Sequence, residues 1–460
     1  MNYNKILMTD SYKGSHYLQY PQGTEYVNSY IESRGGRWNR TLFFGLQIFL
    51  QEYLSKPISL KDIHAAKHFW EQHGLPFNLA GWTYILSEHK GYLPVRIEAL
   101  PEGTVLPTGN VLVQVRNTDP KCYWLTSYLE TALLRAVWYP TTVATNSYMC
   151  KQHIKDALVK SGDPEQLLFK LHDFGARGTS SAESAGIGGC AHLVNFMGSD
   201  TVEGVICARQ YYGEEMAGFS IPAAEHSTIT AWGGKDGEIE AFRNMLTQFG
   251  GKYPLIAVVS DSYDIYNAVS NIWGGILEKE VTGSGSTLIV RPDSGNPVAV
   301  VCAVIQRLMD KFGCTTNEKG YRVLPPYIRV IQGDGVDERA IKDILFEMMN
   351  QGLSADNVAF GMGGALLQHF DRDTFKFAMK CSAIRVNGTW RDVYKDPVTD
   401  PGKRSKRGRL SLTCKDGRWN TTSEVVPPEE NQLRVVFENG KVLNPTTLAE
   451  VRDRSNKLCQ

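Results

Sequence analysis

Charged residues and glycines follow five short apolar runs between residues 167 and 360. These polar segments are 172–174, 260–261, 291–293, 333–334 and 361–364. Arginine binds phosphate through paired N–H donors, and helix starts that open with glycine offer backbone N–H groups to phosphate oxygens. Carboxylates bind ribose hydroxyls or water-held Mg²⁺. Together these residue types predict a site for a phosphorylated sugar, without defining the reaction.

The apolar runs themselves predict buried strands of a parallel sheet, because helical stretches separate them. The runs cover residues 167–171, 255–259, 287–290, 327–331 and 357–360, and the helical stretches cover 298–312 and 338–350. Parallel strands place ligands at their carboxyl ends, in an open sheet or in a closed barrel. A single Asp after a strand is often only a helix cap. Several charged groups at one edge favour a binding site instead.

The flanking parts of the chain have a different pattern. Residues 95–100 and 111–115 alternate as strands, and residues 123–138 and 142–160 predict two helices interrupted by Pro140. After residue 375 the chain returns to strand and loop. Residues 403–409 include five basic side chains, which by default form a solvated loop and in a neutral protein could also gather a polyanionic ligand.

Composition excludes several classes of protein. In 460 residues, 49 Lys and Arg balance 49 Asp and Glu, which argues against a polybasic nucleic-acid binder. No run of about 18 apolar residues exists, so we expect no membrane span, and residues 1–10 lack the apolar segment of a secretory signal. The nine cysteines form no CxxC pair, which is typical of reduced thiols. We therefore expect a cytoplasmic enzyme.

Seven sequence motifs together resemble one enzyme family. They are residues 9–13 (TDSYK), 172–178 (HDFGARG), 222–228 (PAAEHST), 260–264 (SDSYD), 291–295 (RPDSG), 331–335 (IQGDG) and 403–406 (KRSK). In this order and spacing they resemble the nicotinamide phosphoribosyltransferases, in a bacterial or phage-type form. The resemblance extends from Thr9 to the C-terminal region.

The resemblance implies an α/β protein with the type II phosphoribosyltransferase fold. Residues 161–375 are then an irregular α/β barrel-like domain, and residues 1–160 with 376–460 form an α+β part with a mixed β-sheet and helices. The implied reaction joins nicotinamide to phosphoribosyl pyrophosphate and yields nicotinamide mononucleotide and pyrophosphate, in NAD salvage. It also implies a homodimer with shared active sites, Mg²⁺ as cofactor, and ATP as a facultative co-substrate that acts through a phosphohistidine.

Three residues are implied to bind the base. By resemblance, Phe174 stacks on one face of the pyridine ring, and Tyr12 of the partner subunit covers the other face. Asp200 accepts a hydrogen bond from the carboxamide and repels the carboxylate of nicotinic acid; it is also placed to cap the helix that follows. Gly178 stands where nicotinate phosphoribosyltransferases have a second basic residue, which is consistent with an amide substrate.

The phosphates and the sugar are implied to contact a larger set. His226, Asp293 and Arg291 are the candidate catalytic residues, with His226 as the phosphohistidine, and Arg177 joins His226 and Arg291 at the pyrophosphate. Mg²⁺ is expected near Asp261 and Asp293, held through water. The remaining substrate contacts are implied for Pro292, Gly333, Asp334, Gly363, Gly364, Arg372, Asp10, Arg34, Lys380 and Lys395.

The sequence also departs from the vertebrate members of this family. Ala176 replaces a Tyr, Ala257 replaces a pocket Ser, and the segment 35–40 is short. We expect these departures to change the affinity for the base and for inhibitors, and not the class of reaction. The nearest alternative is nicotinate phosphoribosyltransferase. Remoter alternatives are a phosphosugar lyase or isomerase, for which no Schiff-base Lys or metal-binding His/Glu set is visible, and a catalytically silent binding protein on the same scaffold.

Overall fold

The structure is a computed structural model that describes residues 4–424 and 426–457. The chain forms two compact units. Unit 1 contains the residues up to Thr145, Gln210–Glu214, and the residues from Phe370 onward; unit 2 contains Asn146–Arg209 and Glu215–His369. The domain boundaries expected at residues 160 and 375 stay a prediction. No helix in the described residues is both long and apolar enough to cross a membrane.

The strands alternate with helices mainly in unit 2. In chain order the strands are β1 Thr24–Ser33, β2 Arg40–Leu42, β3 Val95–Ala99, β4 Val105–Pro107, β5 Val111–Asn117, β6 Leu171–Asp173, β7 Gly198–Ser199, β8 Leu255–Val259, β9 Thr287–Arg291, β10 Thr315–Thr316, β11 Arg322–Val323, β12 Ile328–Gln332, β13 Val358–Met362, β14 Phe377–Val386, β15 Thr389–Asp392, β16 Ser411–Lys415, β17 Arg418–Thr422, β18 Arg434–Glu438 and β19 Lys441–Val442.

The α-helices range from single turns to one long helix. They are α1 Leu46–Phe49, α2 Leu60–Gln72, α3 Leu79–Glu88, α4 Leu125–Tyr128, α5 Glu130–Ser161, α6 Ala182–His192, α7 Val202–Tyr212, α8 His226–Thr230, α9 Glu238–Phe249, α10 Ile265–Asn267, α11 Glu278–Gly283, α12 Pro297–Phe312, α13 Glu338–Asn350, α14 Gly364–Leu367 and α15 Leu448–Asn456. Two of the connections, Leu50–Leu54 and Ala268–Ile276, are π-helical.

A seven-stranded sheet forms the centre of unit 1, in the order β15-β14-β1-β5-β3-β18-β19. Every pair of neighbours in it is antiparallel. The expected mixed sheet is therefore wrong in this detail. The tight connections β14–β15 and β18–β19 can join only antiparallel neighbours, since a parallel pair needs a long crossover.

Unit 2 is built on a parallel sheet in the order β7-β6-β13-β12-β9-β8. The segment 219–224 hydrogen-bonds to both of its edges. At one edge Phe219 exchanges backbone hydrogen bonds with Met197 and Ser199, of 2.7 and 3.0 Å. At the other, Ala257 N–H donates to the Pro222 carbonyl at 2.9 Å, and Ala224 N–H donates to the Ala257 carbonyl at 3.0 Å. The segment thus closes the sheet into an irregular barrel.

An apolar layer fills the barrel just below its rim. Ala257, Ile289 and Ile331 are buried there, and three partly buried residues, Phe174, Ile221 and Ala359, pack against them. These six residues come from β8, β9, β12, β13, the segment after β6 and the closing segment. Almost every strand of the barrel therefore contributes one residue to the layer. The rim residues above this layer therefore stand on a packed floor.

Two expected elements differ from the structure. Residues 164–169 form a 3-10 helix, and the strand begins only at Leu171. Asp163 caps the N–H of Glu165, and Pro164 occupies the first turn, which together favour a helical start. The expected break at Pro140 is also absent, because Pro140 lies inside α5. There the Thr142 hydroxyl donates to the Trp138 carbonyl at 2.6 Å.

Candidate active site

The predicted site residues of unit 2 meet at one rim of the barrel. Parallel strands end at the same rim, so each short loop after a strand delivers its side chains to a shared mouth. Going around the barrel, the rim receives Asp200 after β7, Phe174 after β6, Gly363 and Gly364 after β13, Gly333 and Asp334 after β12, Arg291, Pro292 and Asp293 at and after β9, Asp261 after β8, and His226 after the closing segment.

Phe174 lies flat against glycine backbone. A Cβ placed on Gly361 would lie 1.9 Å from Phe174 Cε2, and one placed on Gly333 would lie 3.4 Å from the same atom. The N–H of Phe174 donates to the Met362 carbonyl at 3.0 Å, which ties the aromatic residue to the end of β13. The ring is only partly buried, so it offers a fixed aromatic surface at the mouth.

Asp200 is held beside this aromatic surface. Its backbone N–H donates to the Asp173 carbonyl at 2.9 Å. The Ser220 hydroxyl donates to Asp200 Oδ1 at 2.5 Å and fixes one carboxylate oxygen. Asp200 is exposed, and the remaining oxygen can accept a further hydrogen bond. Among the described residues the only hydrogen bond to the Asp200 carboxylate comes from Ser220, and the Thr201 N–H donates to the Ser199 hydroxyl at 3.1 Å.

A fully buried carboxyl lies beneath the loop that carries Phe174. Asp173 is 0 % exposed, and its Oδ1 accepts from the Gly175 N–H at 2.7 Å. Burial, with a smaller contribution from the nearby charge of Asp200, raises the pKa of Asp173 to about 7, although the hydrogen bond from the Gly175 N–H acts in the opposite direction. The Asp173 carboxyl is thus close to half-protonated near neutral pH.

Four acidic and basic side chains form a connected group at the opposite side of the mouth. His226 Nε2 lies 3.0 Å from Asp261 Oδ1, and its Nδ1 lies 3.9 Å from Asp293 Oδ2. Asp261 Oδ2 accepts from the Asp293 N–H at 3.1 Å and from the Ser294 hydroxyl. Arg291 approaches Asp293 Oδ2 to 3.8 Å. His226, Asp261, Asp293 and Arg291 therefore form one cluster.

Two groups of this cluster, Arg291 Nε and the Asp293 carboxylate, make no hydrogen bond within the described residues. Arg291 Nε is buried and has no hydrogen-bond partner among the described residues. Burial raises the pKa of the Asp293 carboxyl; Asp261 and Asp334 add to this effect, and Arg291 and His226 oppose it. The side chain of His226 is 45 % exposed, so an incoming anion can reach it.

Gly333 joins the aromatic surface to the charged cluster. A carbon at its Cβ position would touch Phe174 Cε2 and Asp293 Oδ1, each at 3.4 Å. The Phe174 ring and the Asp293 carboxylate therefore face the same small space. A flat base on Phe174 and a sugar beside Asp293 would be in covalent reach of each other.

The other residues predicted at this mouth differ in their exposure and in the contacts of their backbone. Arg177 and Asp334 are exposed, and Pro292 is buried. The Arg177–Gly178 turn packs against β13's end, since a Cβ on Gly178 would lie 3.3 Å from the Gly364 Cα. Gly363 and Gly364 start α14, so their backbone faces the mouth without side chains.

The predicted residues of unit 1 fall into separate groups. Tyr12 is 58 % exposed, and the Asp10 carboxylate accepts from the Thr131 hydroxyl at 2.7 Å. Arg372 is exposed and bonds Asp373 at 3.0 Å. The remaining three, Arg34, Lys380 and Lys395, belong to one cationic cluster.

That cationic cluster has more positive than negative charge. Burial lowers the pKa of Lys380; Glu130 opposes this, and Arg34, Lys395 and Lys13 lower it further. The ε-ammonium of Lys13 lies 2.6 Å from Glu130 Oε2 and that of Lys380 lies 3.9 Å from Oε1, so one carboxylate serves both. Arg34 NH2 is buried without a partner among the described residues. Such a cluster attracts an anion.

Charged side chains of the basic loop 403–409 have partners within unit 1. Arg404 binds Asp396 through two hydrogen bonds of 2.9 and 2.7 Å, Lys403 lies 3.2 Å from Asp400, and Lys406 pairs with Glu32. Arg407 lies over the ring of Tyr394 and Arg409 over that of Trp390, at 5.3 and 5.2 Å. The role of this loop in nucleotide binding stays a prediction.

Sequence reasoning missed several contributors. Ser220 fixes Asp200, Gly361 makes room for Phe174, and Lys13 and Lys406 extend the cationic cluster. Some signal was present, because Gly361 lies in the polar segment 361–364, Lys13 and Lys406 lie inside two of the seven motifs, and Ser220 lies two residues before residues 222–228. Their roles depend on which strand lies beside which, and a single sequence does not show strand neighbours.

Comparison with known proteins identifies the family of the chain. Residues 169–441 match the model of the nicotinate phosphoribosyltransferase (NAPRTase) family, and residues 4–97 match the nicotinamide phosphoribosyltransferase N-terminal domain. The chain belongs to the NAPRTase family, and the resemblance seen in the seven motifs is confirmed.

Relatives of the nicotinamide type match along nearly the whole chain. The nicotinamide phosphoribosyltransferase of Xanthomonas campestris pv. campestris (strain 8004) is 53 % identical over 458 residues, which are 98 % of this chain and 97 % of that protein. The nicotinamide phosphoribosyltransferase of Acinetobacter baylyi is 33 % identical over 492 aligned positions, again 98 % and 97 %.

Solved structures show the same fold at lower identity. The nicotinate-nucleotide pyrophosphorylase of Pyrococcus furiosus has a TM-score of 0.62 at 16 % identity, covering 98 % of this chain and 94 % of its own. Human nicotinic acid phosphoribosyltransferase has a TM-score of 0.61 at 18 % identity, covering 98 % and 93 %. The expected type II phosphoribosyltransferase fold is confirmed.

Proposed function

We propose that the protein transfers the phosphoribosyl group of phosphoribosyl pyrophosphate to nicotinamide. The products are nicotinamide mononucleotide and pyrophosphate, so the enzyme is a pentosyltransferase of NAD salvage. The observation that carries the proposal is the shared space at Gly333, between the Phe174 ring and the Asp293 carboxylate. The similarity to nicotinamide phosphoribosyltransferases over 98 % of the chain supports the same reaction.

The chemistry is a displacement at the anomeric carbon of the ribose. The pyridine nitrogen forms the new C–N bond as the C–O bond to pyrophosphate breaks, and the transition state has oxocarbenium character. Phe174 orients the ring by stacking. Arg291, whose Nε has no hydrogen-bond partner in the described parts of the chain, and the exposed Arg177 bind the negative charge that grows on the leaving group. Asp293 binds the ribose hydroxyls.

Asp200 selects the amide. With Oδ1 fixed by Ser220, its other oxygen accepts a hydrogen bond from the carboxamide NH₂. A nicotinic acid carboxylate in this position would place two negative charges together, which costs several kcal/mol in a dry pocket. Exposed Gly178 supplies no compensating cation.

Asp261 prepares His226 to accept a phosphoryl group from ATP. The Nε2–H of His226 donates to Asp261 at 3.0 Å, which leaves the lone pair on Nδ1. Nδ1 faces Asp293 at 3.9 Å, beside the place proposed for pyrophosphate. A phosphoryl group on Nδ1 alters the charge at that place, and through it ATP changes the affinity for phosphoribosyl pyrophosphate.

The residues near the leaving group fit Mg²⁺ in part. Both oxygens of Asp261 already accept from protein donors, so it suits contact through water. No protein hydrogen bond to the Asp293 carboxylate is present among the described residues, and it is the better direct ligand. When bound, Mg²⁺ neutralises pyrophosphate charge. Asp293 would hold the ion, and Asp261 would orient its water.

We also propose that the enzyme is a homodimer. The aromatic ring of Tyr12 is 58 % exposed in this chain, and α7 exposes Val202 and Ile206, which are 63 % and 52 % exposed and one turn apart. Phe219, which precedes Ser220, is 45 % exposed. A second copy that covers these apolar surfaces would bring Tyr12 of the partner subunit to the base.

A cytoplasmic location remains our proposal, and the free thiols of the eight described cysteines are consistent with it.

One incubation tests the function. Purified protein is mixed with phosphoribosyl pyrophosphate, Mg²⁺ and either nicotinamide or nicotinic acid, and the mononucleotide is detected by mass. We expect nicotinamide mononucleotide, with kcat/KM for nicotinic acid lower by orders of magnitude. Product from neither base would overturn the reaction, and product from nicotinic acid alone would overturn the specificity.

The variant Asp200→Asn locates that specificity. It removes the repulsion and retains an acceptor, so nicotinamide turnover should fall and the ratio of kcat/KM values should shift toward nicotinic acid. The ratio need not invert, because Gly178 offers no cation for the acid. An unchanged ratio would show that specificity resides elsewhere.

A further inference from the structure

Apart from the mouth of the barrel, a cavity lies in unit 1, on one face of the seven-stranded sheet. Its volume is about 460 Å³. The floor comes from β1, β3, β5 and β14, and the walls come from β15 and from residues between Gly408 and Asn431. None of the residues proposed for transfer chemistry lines it.

Arg116 is the unusual residue of this cavity. It projects from β5, is partly buried, and makes no hydrogen bond or ion pair with any residue in the described parts of the chain. Burial lowers the pKa of its guanidinium; Glu98 opposes this, and the charges of Arg96 and Arg409 lower it further. A partly buried cation beside two others is unfavourable unless an anion accompanies it.

The neighbouring side chains already have partners and do not supply that anion. Glu98 is bound by Arg96 at 2.9 Å, and Arg96 also binds Glu438 at 3.2 Å. Gln114 donates to the Leu410 carbonyl at 2.6 Å. Arg96 thus shares Glu98 with Arg116, and in the described residues no hydrogen bond from the floor reaches the Arg116 guanidinium.

The remaining charges of the lining define what fits. Arg409 stacks on Trp390 at 5.2 Å, so its guanidinium is fixed by an aromatic face and its N–H groups stay available. Asp392 and Glu424 also line the cavity, and no ion pair joins either of them to Arg116 or Arg409 in the described residues. Three acidic and three basic side chains give no net charge, which disfavours a polyanion and permits a small one near Arg116.

We propose that this cavity binds a small oxyanion of the phosphate class, either free or as the end group of a small ligand. Arg116 binds it with two parallel N–H donors, and Arg409 adds a second positive charge. The volume leaves room for a group attached to the phosphate. The site lies outside the transfer chemistry and does not depend on it.

Equilibrium dialysis with radiolabelled inorganic phosphate tests the proposal on the full-length protein. Arg116→Gln should bind one phosphate fewer per chain than wild type, and it should keep its thermal midpoint because it loses an uncompensated charge. Arg116→Lys keeps the charge without the bidentate geometry, so this phosphate should bind at least tenfold more weakly. Arg418→Gln is the matched control, since it removes an exposed cation of β17 that does not line the cavity.

The results of this binding experiment can be interpreted independently of the transferase activity. Loss of one phosphate in Arg116→Gln, with the control unchanged, supports the site whether or not the protein is active. If Arg116→Gln does not fold, the affinity of Arg116→Lys decides. Wild-type phosphate number and affinity in the folded Arg116 variants would overturn the proposal.

Discussion

Replacing Gly361 with alanine tests the base site most directly. The new Cβ would lie 1.9 Å from Phe174 Cε2 and 2.2 Å from Cδ2. Carbon atoms in contact are about 3.5–4.0 Å apart, so the ring must move by roughly 1.6 Å or more. It cannot sink into the barrel, because Ala257, Ile289 and Ile331 fill the layer against which it packs. The ring should therefore move into the space proposed for the base.

The expected loss is large and specific. A displacement of about 1 Å at a reacting centre can reduce the rate by about 100-fold, equivalent to about 2.7 kcal/mol. We expect kcat/KM for nicotinamide to fall by about this factor, because kcat falls with the misplaced base and KM rises with the displaced stacking surface, while the affinity for phosphoribosyl pyrophosphate changes little. Steady-state kinetics with each substrate varied in turn measure both values.

A matched control separates displacement of the ring from a general effect of the added methyl group. Gly283 ends α11, and its Cβ would meet no atom within 4 Å. Gly283→Ala should keep wild-type kinetics and favour the helix slightly. Wild-type KM for nicotinamide in folded Gly361→Ala would refute the placement of the base on Phe174.

Three further predictions concern the buried carboxyl, the histidine and the dimer. Burial raises the pKa of Asp173 to about 7, so the folded protein keeps a proton that the unfolded chain releases above pH about 4. Stability should therefore fall between pH about 4 and 7, by at most about 4 kcal/mol, and Asp173→Asn should lack this fall in chemical unfolding at pH 5 and 8. His226→Ala should abolish ATP hydrolysis and retain transfer at high phosphoribosyl pyrophosphate; undiminished hydrolysis would remove His226 from the coupling. Mixing inactive Tyr12→Ala with inactive Arg291→Ala should restore some activity, and no recovery after subunit exchange would contradict shared sites.

The sequence predicted the rim of the barrel well, for a physical reason. Parallel strands end on one rim, so Asp261, Arg291 and Asp293 could be grouped once their strands were recognised. His226 follows no strand, and only the family resemblance assigned it to the same site. The strand expected at residues 167–171 begins at Leu171, because Pro164 and its Asp163 cap favour a helical turn. The apolar pattern alone does not separate a short buried strand from such a turn.

What the sequence could not predict depends on neighbours in space. The closing segment 219–224 makes only isolated backbone bridges, so it lacks the periodicity of a strand, yet it brings Ser220 to Asp200. Gly361 has a role only because β13 lies beside β6. Pro140 indicated a break, but packing retains α5 as one helix. In each case tertiary contact outweighs local preference.

Gly333 shows why the two halves of the site must work as one. Its missing side chain leaves a gap whose sides are the Phe174 ring and the Asp293 carboxylate, each 3.4 Å from the Cβ position. A side chain there would contact both groups and occupy the space proposed for the base and the sugar. A substitution of Gly333 should therefore change the binding of nicotinamide and of phosphoribosyl pyrophosphate together. A barrel achieves this closeness because β12 lies between β13 and β9, so the residue after β12 lies between the loops of its neighbours. Attack of the base on the sugar thus follows from strand order as much as from the charged residues.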